Sequence, residues 1–173
     1  PRIVKASKKG DAAILKVLIK ILSENKIKVI KLNTFNPELT LKKGIYTKTR
    51  PTLFENEEIF KGIKELKKIN SHNHTQAVII RDNKIISRET RKGTKEMIKS
   101  VTKSKIKKGI LIKLPKIKQD LRVDLPTIGI DTFKDCNKVG VKGIVIKSNQ
   151  NIILNKKACI KYANQNKIFL VAI

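Results

Sequence analysis

The segment KLPKIKQDLRVDLPTIGIDT, residues 113 to 132, is the stretch on which the interpretation of this fold depends. From Asp120 onward, charged and apolar residues alternate strictly for six positions. This pattern predicts a half-buried strand with Asp120, Arg122 and Asp124 on its open face. Pro126 has no amide hydrogen to donate and keeps the residue before it extended. We therefore expect the chain to leave the sheet at Pro126 and to continue as an ordered loop.

The spacing of the two acids limits the chemistry of that strand. At roughly 3.3 Å per residue, Asp120 and Asp124 would lie about 13 Å apart in a straight strand, too far to share one metal ion. Arg122 could pair with either acid, or present its planar guanidinium to a phosphate while the acids hold it in place. On composition alone, an edge strand with solvated charges is the more ordinary interpretation.

A longer set of residues changes that interpretation. The set comprises Lys113, Lys116, Gln119, Asp120, Arg122, the run from Asp124 to Gly129, Asp131-Thr132, Gly10-Asp11, Gln76-Ala77-Val78, Glu89, Gly93-Thr94 and the ending from Ile168 to Ile173. In residue types and order, this set resembles the LpxI-type UDP-2,3-diacylglucosamine pyrophosphatase family. The resemblance spans nearly the whole chain. Because that family continues ahead of position 1, the chain resembles its C-terminal part together with the end of its N-terminal domain, and we expect it to be a fragment that lacks the rest of that domain.

The resemblance implies a hydrolase of lipid A biosynthesis. The family cleaves the diphosphate of UDP-2,3-diacylglucosamine and releases UMP and 2,3-diacylglucosamine 1-phosphate. Such a reaction requires cations that offset the charge on the diphosphate oxygens, and a base or a metal ion that activates water.

The resemblance also implies roles for individual residues. Asp124 is the expected catalytic carboxylate, and Asp120 is the second candidate. A magnesium ion usually takes one or two protein carboxylates, and here its expected ligands are Asp124 and Glu89. The residues expected to bind the substrate are Lys113, Lys116, Gln119, Arg122, Thr127 and Thr94. Purely structural alternatives are that Asp124 braces the turn at Pro126 and that Glu89 is an exposed acid at a strand end.

The segment ETRKGTKEM, residues 89 to 97, departs from the family pattern at two positions. The family carries an acid immediately before its Gly-Thr pair and another immediately after it, whereas this chain has Lys92 and Lys95. If those acids hold a metal, this protein binds it weakly or not at all. If they only cap a helix, Thr94 and Glu96 suffice. A catalytically impaired homologue that binds nucleotide-sugar or anionic lipid is therefore the main alternative.

The chain is strongly basic, with 40 Lys and Arg against 14 Asp and Glu and a formal net charge of +26 over 173 residues. Such an excess ordinarily suggests nucleic acid or an anionic membrane surface as the partner. The basic residues are mostly Lys and are spread along the chain, and only 4% of residues are aromatic. Stacking platforms for single-stranded nucleic acid are therefore scarce. We expect no nucleic acid partner and keep a basic nucleic-acid-binding module as a third alternative.

Signals of cellular compartment and of metal binding are few. No apolar run approaches the roughly 20 residues that span a bilayer, and no signal peptide opens the chain. We expect a cytoplasmic protein that its charge could hold peripherally on the inner membrane. Cys136 and Cys159 form no CxxC motif, so reduced, buried thiols are expected. His72 and His74 alone are a weak metal signal.

The periodicity of apolar residues predicts an α/β fold, a mixed sheet with flanking helices. The resemblance implies that a truncated α/β N-terminal domain remnant precedes it. We assign residues 1–45 to the end of that domain and a linker, and residues 46–173 to a C-terminal catalytic-type domain. The predicted linker comprises residues 33–51 and therefore crosses this boundary.

The predicted elements follow from caps, turns and periodicity. Thr52 and Glu55 form a capping box. The helix that they begin is predicted to bury Ile59, Phe60, Ile63, Leu66 and Ile69. Further helices are predicted after Gly10-Asp11 and near 94–103, 131–139 and 156–166. Strands are predicted at 27–32 and near 109–114, 142–147, 151–154 and 168–172, with a hairpin of 77–81 and 84–88 joined at Asp82-Asn83.

Overall fold

The computed structural model describes residues 1–8, 10–72, 75–117 and 119–173. Its α-helices are α1 (Arg2–Ser7), α2 (Asp11–Glu24), α3 (Leu53–His72), α4 (Gly93–Lys99), α5 (Ile130–Lys138) and α6 (Lys156–Gln165). Its strands are β1 (Gly44–Ile45), β2 (Ala77–Arg81), β3 (Lys84–Arg88), β4 (Ile110–Lys113), β5 (Thr127–Ile128), β6 (Gly143–Ile146), β7 (Ile152–Ile153) and β8 (Phe169–Ala172). Short 3-10 turns lie at Leu32–Thr34 and Pro37–Leu39.

Six strands form a mixed sheet in the order β1-β8-β6-β4-β2-β3. The three central strands β4, β6 and β8 are parallel, whereas β2 is antiparallel to β4 and β1 is antiparallel to β8. The two remaining strands, β5 and β7, pair in parallel as a separate small sheet. The predicted α/β class, with a mixed sheet and flanking helices, is confirmed.

Helices cover both faces of the large sheet, and alternate residues of each strand face opposite cores. On one face, Val78, Ile80, Ile110 and Ile112 pack with α3. On the other face lie α4, α5, α6 and the small sheet, with a core that includes Ile79, Leu111, Ile144, Phe133, Cys136 and Cys159. Because the parallel strands are covered on both sides, they read as continuous apolar runs.

Helix α3 begins with the predicted capping box. The backbone N–H of Thr52 donates to Glu55 Oε2 at 2.7 Å, and the backbone N–H of Glu55 donates to the Thr52 hydroxyl at 3.2 Å. The prediction that Phe60 is buried is wrong, since it is 72% exposed. Gly62 occupies the sheet-facing side instead, where an added methyl group would overlap the end of the Ile112 side chain. This glycine sets how closely α3 approaches β4.

The hairpin of β2 and β3 forms at the predicted residues. Asp82 and Asn83 have φ angles of +50° and +61°, as two-residue hairpin turns of the I′ type require. The predicted burial of both cysteines is confirmed, and neither is joined in a disulfide. Burial raises the pKa of Cys136, and it raises the pKa of Cys159 to about 11.

The segment from 120 to 125 is not the predicted strand. The carboxylate of Asp120 accepts the backbone N–H of Arg122 at 3.1 Å, and its backbone carbonyl accepts the N–H of Asp124 at 2.9 Å. These bonds close a turn, because an aspartate side chain offers the backbone a local partner that competes with a strand ladder. Instead of a loop, the residues after Pro126 form β5, with Ile152 N–H donating to the Pro126 carbonyl at 2.9 Å.

The N-terminal part differs from expectation in one element. Residues 27–31 have no regular structure where a strand was predicted, because they find no ladder partner in the described part of the chain. No residue of α2 is buried among those whose burial is described. The predicted linker contains β1, which pairs with β8 at the boundary that we predicted between domains. That division into domains stays a prediction. None of the described helices is long and apolar enough to cross a bilayer.

Candidate active site

Three parallel strands end at one edge of the large sheet, where β2 begins because it runs antiparallel to β4. In open α/β sheets, ligands commonly bind outside the carboxyl ends of parallel strands. Lys113 is the last residue of β4, and Glu89 directly follows the last residue of β3. Two residues that the sequence nominated for the site therefore stand at the same sheet edge.

Lys113 carries a buried ammonium group, since only 7% of the residue is exposed. Its Nζ donates a hydrogen bond to the carbonyl oxygen of Thr127 at 2.9 Å. Burial lowers the pKa of Lys113, the carboxylate of Glu89 opposes that effect, and the charge of Lys116 adds to it. A bound anion would balance the charge of this buried ammonium group.

Glu89 is also 7% exposed, and both of its carboxylate oxygens have partners. Oε2 accepts the backbone N–H of Gln76 at 3.0 Å, and Oε1 accepts the hydroxyl of Thr94 at 2.5 Å. The alternative of an exposed strand-end acid is therefore wrong for Glu89. We call Gln76, Glu89, Thr94, Lys113 and Thr127 the strand-edge cluster.

Gln76 is a residue of this site that sequence reasoning missed. Its backbone carbonyl accepts the N–H of Leu114 at 2.9 Å. Its side-chain oxygen Oε1 is buried and has no hydrogen-bond partner among the described residues. An unpaired buried acceptor costs about 1–3 kcal/mol, so this atom is suited to accept a hydrogen bond from a bound molecule. The sequence signal was its place at the head of Gln76-Ala77-Val78, which marked the family resemblance only.

The loop after β4 places Lys116 and Gln119 in one closed turn. Gln119 Oε1 accepts the backbone N–H of Lys116 at 2.8 Å, and the Gln119 N–H donates to the Lys116 carbonyl at 3.1 Å. The carboxamide oxygen of Gln119 is thus engaged by the protein. Its NH₂ group has no partner in the described part of the chain and is the end that could meet a substrate.

Asp120 and Arg122 form a bidentate ion pair. Arg122 Nε and Nη2 donate to the two Asp120 oxygens at 3.0 and 2.7 Å. The hydrogen-bonded Arg122 lowers the pKa of Asp120 to about 2, and Asp120 raises the pKa of Arg122. Both residues line a groove of about 900 Å³ beside α2, together with Lys16 and Lys20. No hydrogen bond or ion pair between described residues joins this pair to the strand-edge cluster.

Asp124 is half-buried, and its carboxylate has no hydrogen-bond or ion-pair partner among the described residues. Only its backbone is fastened, through the turn to Asp120. Of the two acids nominated for catalysis, Asp124 is therefore the one whose oxygens are open to a ligand.

The residues nominated for Mg²⁺ differ in how well they fit that ion. The described residues contain no group of three or more His, Cys, Asp or Glu that could hold a metal. Glu89 fits poorly, because both oxygens are engaged and Lys113 is its electrostatic neighbour. Asp124 fits, because Mg²⁺ usually combines one or two carboxylates with water and substrate phosphates. His72 ends α3 and does not lie on a strand, and His74 lies outside the described residues.

Lys92 and Lys95 are exposed and flank Gly93 and Thr94 at the start of α4. Neither Thr94 nor Glu96 makes a capping hydrogen bond, although Glu96 lies in the first turn of α4. Thr94 donates to Glu89, and Glu96 pairs with Lys99 at 2.9 Å. The α4 N-terminus has no side-chain cap, so the two lysines border the strand-edge cluster through Thr94.

Comparison with known proteins shows the family of this chain. The family described as the LpxI C-terminal domain matches residues 42–171. The chain is also similar to the UDP-2,3-diacylglucosamine pyrophosphatase LpxI of Caulobacter vibrioides, with 25% identity over 181 aligned positions. The alignment covers 100% of this chain and 65% of that relative, so the chain spans less than two thirds of the relative's length.

Proposed function

The chain belongs to the LpxI C-terminal domain family, and we therefore propose that it hydrolyses the diphosphate of UDP-2,3-diacylglucosamine to UMP and 2,3-diacylglucosamine 1-phosphate. This step belongs to lipid A biosynthesis. The name of the Caulobacter vibrioides relative supports the substrate class. Because the chain covers 65% of that relative, the activity of the whole protein is part of the proposal.

The observation that carries this proposal is the buried ammonium group of Lys113 at the carboxyl end of β4. It is 7% exposed and donates to the Thr127 carbonyl, and the charge of Lys116, three positions along the chain, also lowers its pKa. A diphosphate placed between the two ammonium groups would replace their repulsion with attraction and raise the pKa of Lys113. Charge neutralisation of this kind is what hydrolysis of a phosphoanhydride requires.

The remaining residues divide the chemistry between them. Asp124, as a free carboxylate, takes the proton of the attacking water, whereas Asp120 with its pKa of about 2 is a much weaker base. Arg122 offers its remaining N–H groups to a phosphate oxygen. Gln76 accepts a hydrogen bond from a substrate hydroxyl or amide. Thr94, Thr127 and the NH₂ group of Gln119 make further contacts with the substrate.

Asp124 would also be the protein ligand of Mg²⁺, and the ion would add charge neutralisation and lower the pKa of a coordinated water. We leave Glu89 out of this role, because its oxygens are already hydrogen-bonded. Glu89 instead orients Thr94 and balances part of the charge on Lys113.

We also propose a cytoplasmic location with an anionic membrane surface as a second partner. The substrate carries two acyl chains, so it resides at a lipid surface. The net charge of +26 favours such a surface, where each nearby basic residue contributes on the order of 1 kcal/mol.

The test is release of UMP from UDP-2,3-diacylglucosamine by the full-length protein. We expect turnover that Asp124→Asn removes and that Asp135→Asn preserves. Asp135, on α5, is the matched control, since it is half-buried and its one ion-pair partner among the described residues is Lys138, at 3.5 Å. Absence of UMP release at any Mg²⁺ concentration would refute the hydrolase proposal.

Lys92 and Lys95 favour a second candidate function, a catalytically impaired homologue that binds the nucleotide-sugar. They place two cations beside Thr94 at positions where the family has acids. This candidate predicts saturable binding of UDP-2,3-diacylglucosamine without UMP release. Tight RNA binding that survives moderate salt, with no response to UDP-sugars, would instead indicate the nucleic-acid module.

A further inference from the structure

Asn70 lies two residues before the end of α3 and is only 9% exposed. Its side-chain Nδ2 donates to the carbonyl oxygen of Pro115 at 3.2 Å. Its Oδ1 accepts the backbone N–H of Ile117 at 3.1 Å. One carboxamide therefore holds the backbone on both sides of Lys116.

Two other side-chain amides fasten the same loop. Gln119 Oε1 accepts the backbone N–H of Lys116 at 2.8 Å. Asn151, which is fully buried, donates to the carbonyl oxygen of Lys113 at 3.1 Å. The backbone from Lys113 to Ile117 is thus fixed by groups from α3, from the loop itself and from the turn before β7. These bonds restrict the backbone positions that Lys116 can take relative to β4.

We propose that Asn70 is a positioning residue that fixes the backbone on both sides of Lys116, so that an ordered loop presents Lys116 to a diphosphate bound at the buried Lys113. The inference rests on the proposed function for the identity of the anion. Asn70 does not touch the substrate in this arrangement. It acts through the backbone of the residues on either side of Lys116, by removing motion that binding would otherwise have to restrict.

The experiment is a calorimetric titration of the full-length protein with UDP, which carries the diphosphate without acyl chains. Asn70→Ala removes both bonds to the loop. We expect it to raise the dissociation constant for UDP about two- to tenfold. This factor corresponds to the entropic cost of immobilising one long side chain when the ligand binds. The same change in a Lys116→Gln background should have almost no further effect, because the residue through which Asn70 acts has lost its charge.

Asn164→Ala is the matched control. Asn164 is a partly buried asparagine on α6, and its Oδ1 accepts the backbone N–H of Lys48 at 2.7 Å. The substitution should lower thermal stability without changing UDP affinity. If Asn70→Ala does not fold, as judged by circular dichroism, Asn70→Ser replaces it, since its shorter side chain cannot make both bonds.

The outcomes separate this inference from the proposed function. Unchanged UDP affinity in Asn70→Ala, or equal weakening in the Lys116→Gln background, would overturn the inference even if the protein hydrolyses its substrate. Absence of UDP binding by the unmodified protein would overturn it as well. UDP binding that responds to Asn70→Ala only when Lys116 is present supports it, including in a protein that releases no UMP.

Discussion

The ammonium nitrogen of Lys113 lies 2.9 Å from the carbonyl oxygen of Thr127. This hydrogen bond ties the last residue of β4 to the first residue of β5, and so joins the large sheet to the small one. An ammonium group has three hydrogens to donate. Thr127 is its one hydrogen-bond acceptor among the described residues, so the cation keeps donors for a ligand.

We predict that Lys113 makes the stability of the protein rise with pH in the alkaline range. Burial lowers its pKa in the folded state below 10.5, so between the two pKa values the unfolded chain binds more protons. The free energy of unfolding then increases with pH, by at most about 1.4 kcal/mol per pH unit from this group. Urea unfolding measures the free energy of unfolding of the unmodified protein and of Lys113→Met. The value for the unmodified protein minus the value for the variant should rise toward pH 10.5.

Saturating UDP should remove this rise of the free-energy difference with pH, because a bound anion raises the pKa of Lys113. A difference between the two proteins that is constant across the alkaline range would contradict the prediction.

We predict that the two acids of the turn differ sharply in catalysis. Asp124→Asn should lower kcat by at least about a hundredfold with near-normal substrate affinity, as expected for loss of a general base. Asp120→Asn should lower kcat far less, because Arg122 keeps the pKa of Asp120 at about 2. Arg122→Ala should raise KM as well, since a phosphate contact is lost from ground state and transition state alike. Steady-state kinetics checks all three, and a larger loss of kcat in Asp120→Asn would transfer the role to that residue.

We predict that hydrolysis by the unmodified protein is slow and responds weakly to Mg²⁺, because the ammonium groups of Lys92 and Lys95 cannot coordinate that ion. Lys92→Glu combined with Lys95→Asp should strengthen the response to Mg²⁺ and raise the turnover. The measurement is UMP release across a Mg²⁺ titration. Lys103→Glu combined with Lys105→Asp, at exposed positions after α4, controls for the change in net charge. Robust metal-dependent turnover without any substitution would show that Lys92 and Lys95 are peripheral to the chemistry.

We predict that Gly143→Ala destabilises the fold by about 3 kcal/mol, in the upper range for overpacking a core. The added methyl group would overlap the ring of Phe169, which is fully buried on the neighbouring strand β8. Gly129→Ala is the matched control, because its methyl group would meet Leu154 Cβ at an ordinary 3.7 Å. Chemical denaturation should separate the two variants, and equal stabilities would mean that the Phe169 ring can move aside.

Local chemistry made the hairpin and the α3 cap predictable. Asp82 and Asn83 tolerate positive φ, so the turn and both strands could be placed from neighbouring residues alone. Thr52 and Glu55 likewise satisfy each other within one turn of helix. In such cases the partners lie within a few positions, and the sequence carries the whole interaction.

The segment from 120 to 125 shows where that approach stops. Its alternating pattern is real, but a strand also needs a ladder partner, and the pattern contains no information about one. The Asp120 side chain supplied a nearer partner for the backbone. At Phe60, the helical period was right but the small residue Gly62 was the one chosen for close contact with the sheet.

For the candidate site too, only some of the residues could be nominated from the sequence. Resemblance nominated Lys113, Glu89 and Thr94, which the structure brings to one sheet edge. Asn70 and Asn151 could not be nominated, because their partners lie 45 and 38 positions away in the chain. An asparagine that holds a distant loop has no local signature, since the same residue type is ordinary in any surface turn.

Gly62 contributes to the position of the site although no proposed ligand reaches it. The helix that it brings against β4 carries Asn70 about 12 Å further along its axis, and the strand that it contacts through Ile112 ends at Lys113. A single added carbon at position 62 would overlap the end of the Ile112 side chain, so either that side chain or the helix must shift. A shift of the helix would move Asn70 and, with it, the backbone on either side of Lys116. A survey of tolerated mutations that ranked positions by distance from the substrate would overlook this glycine.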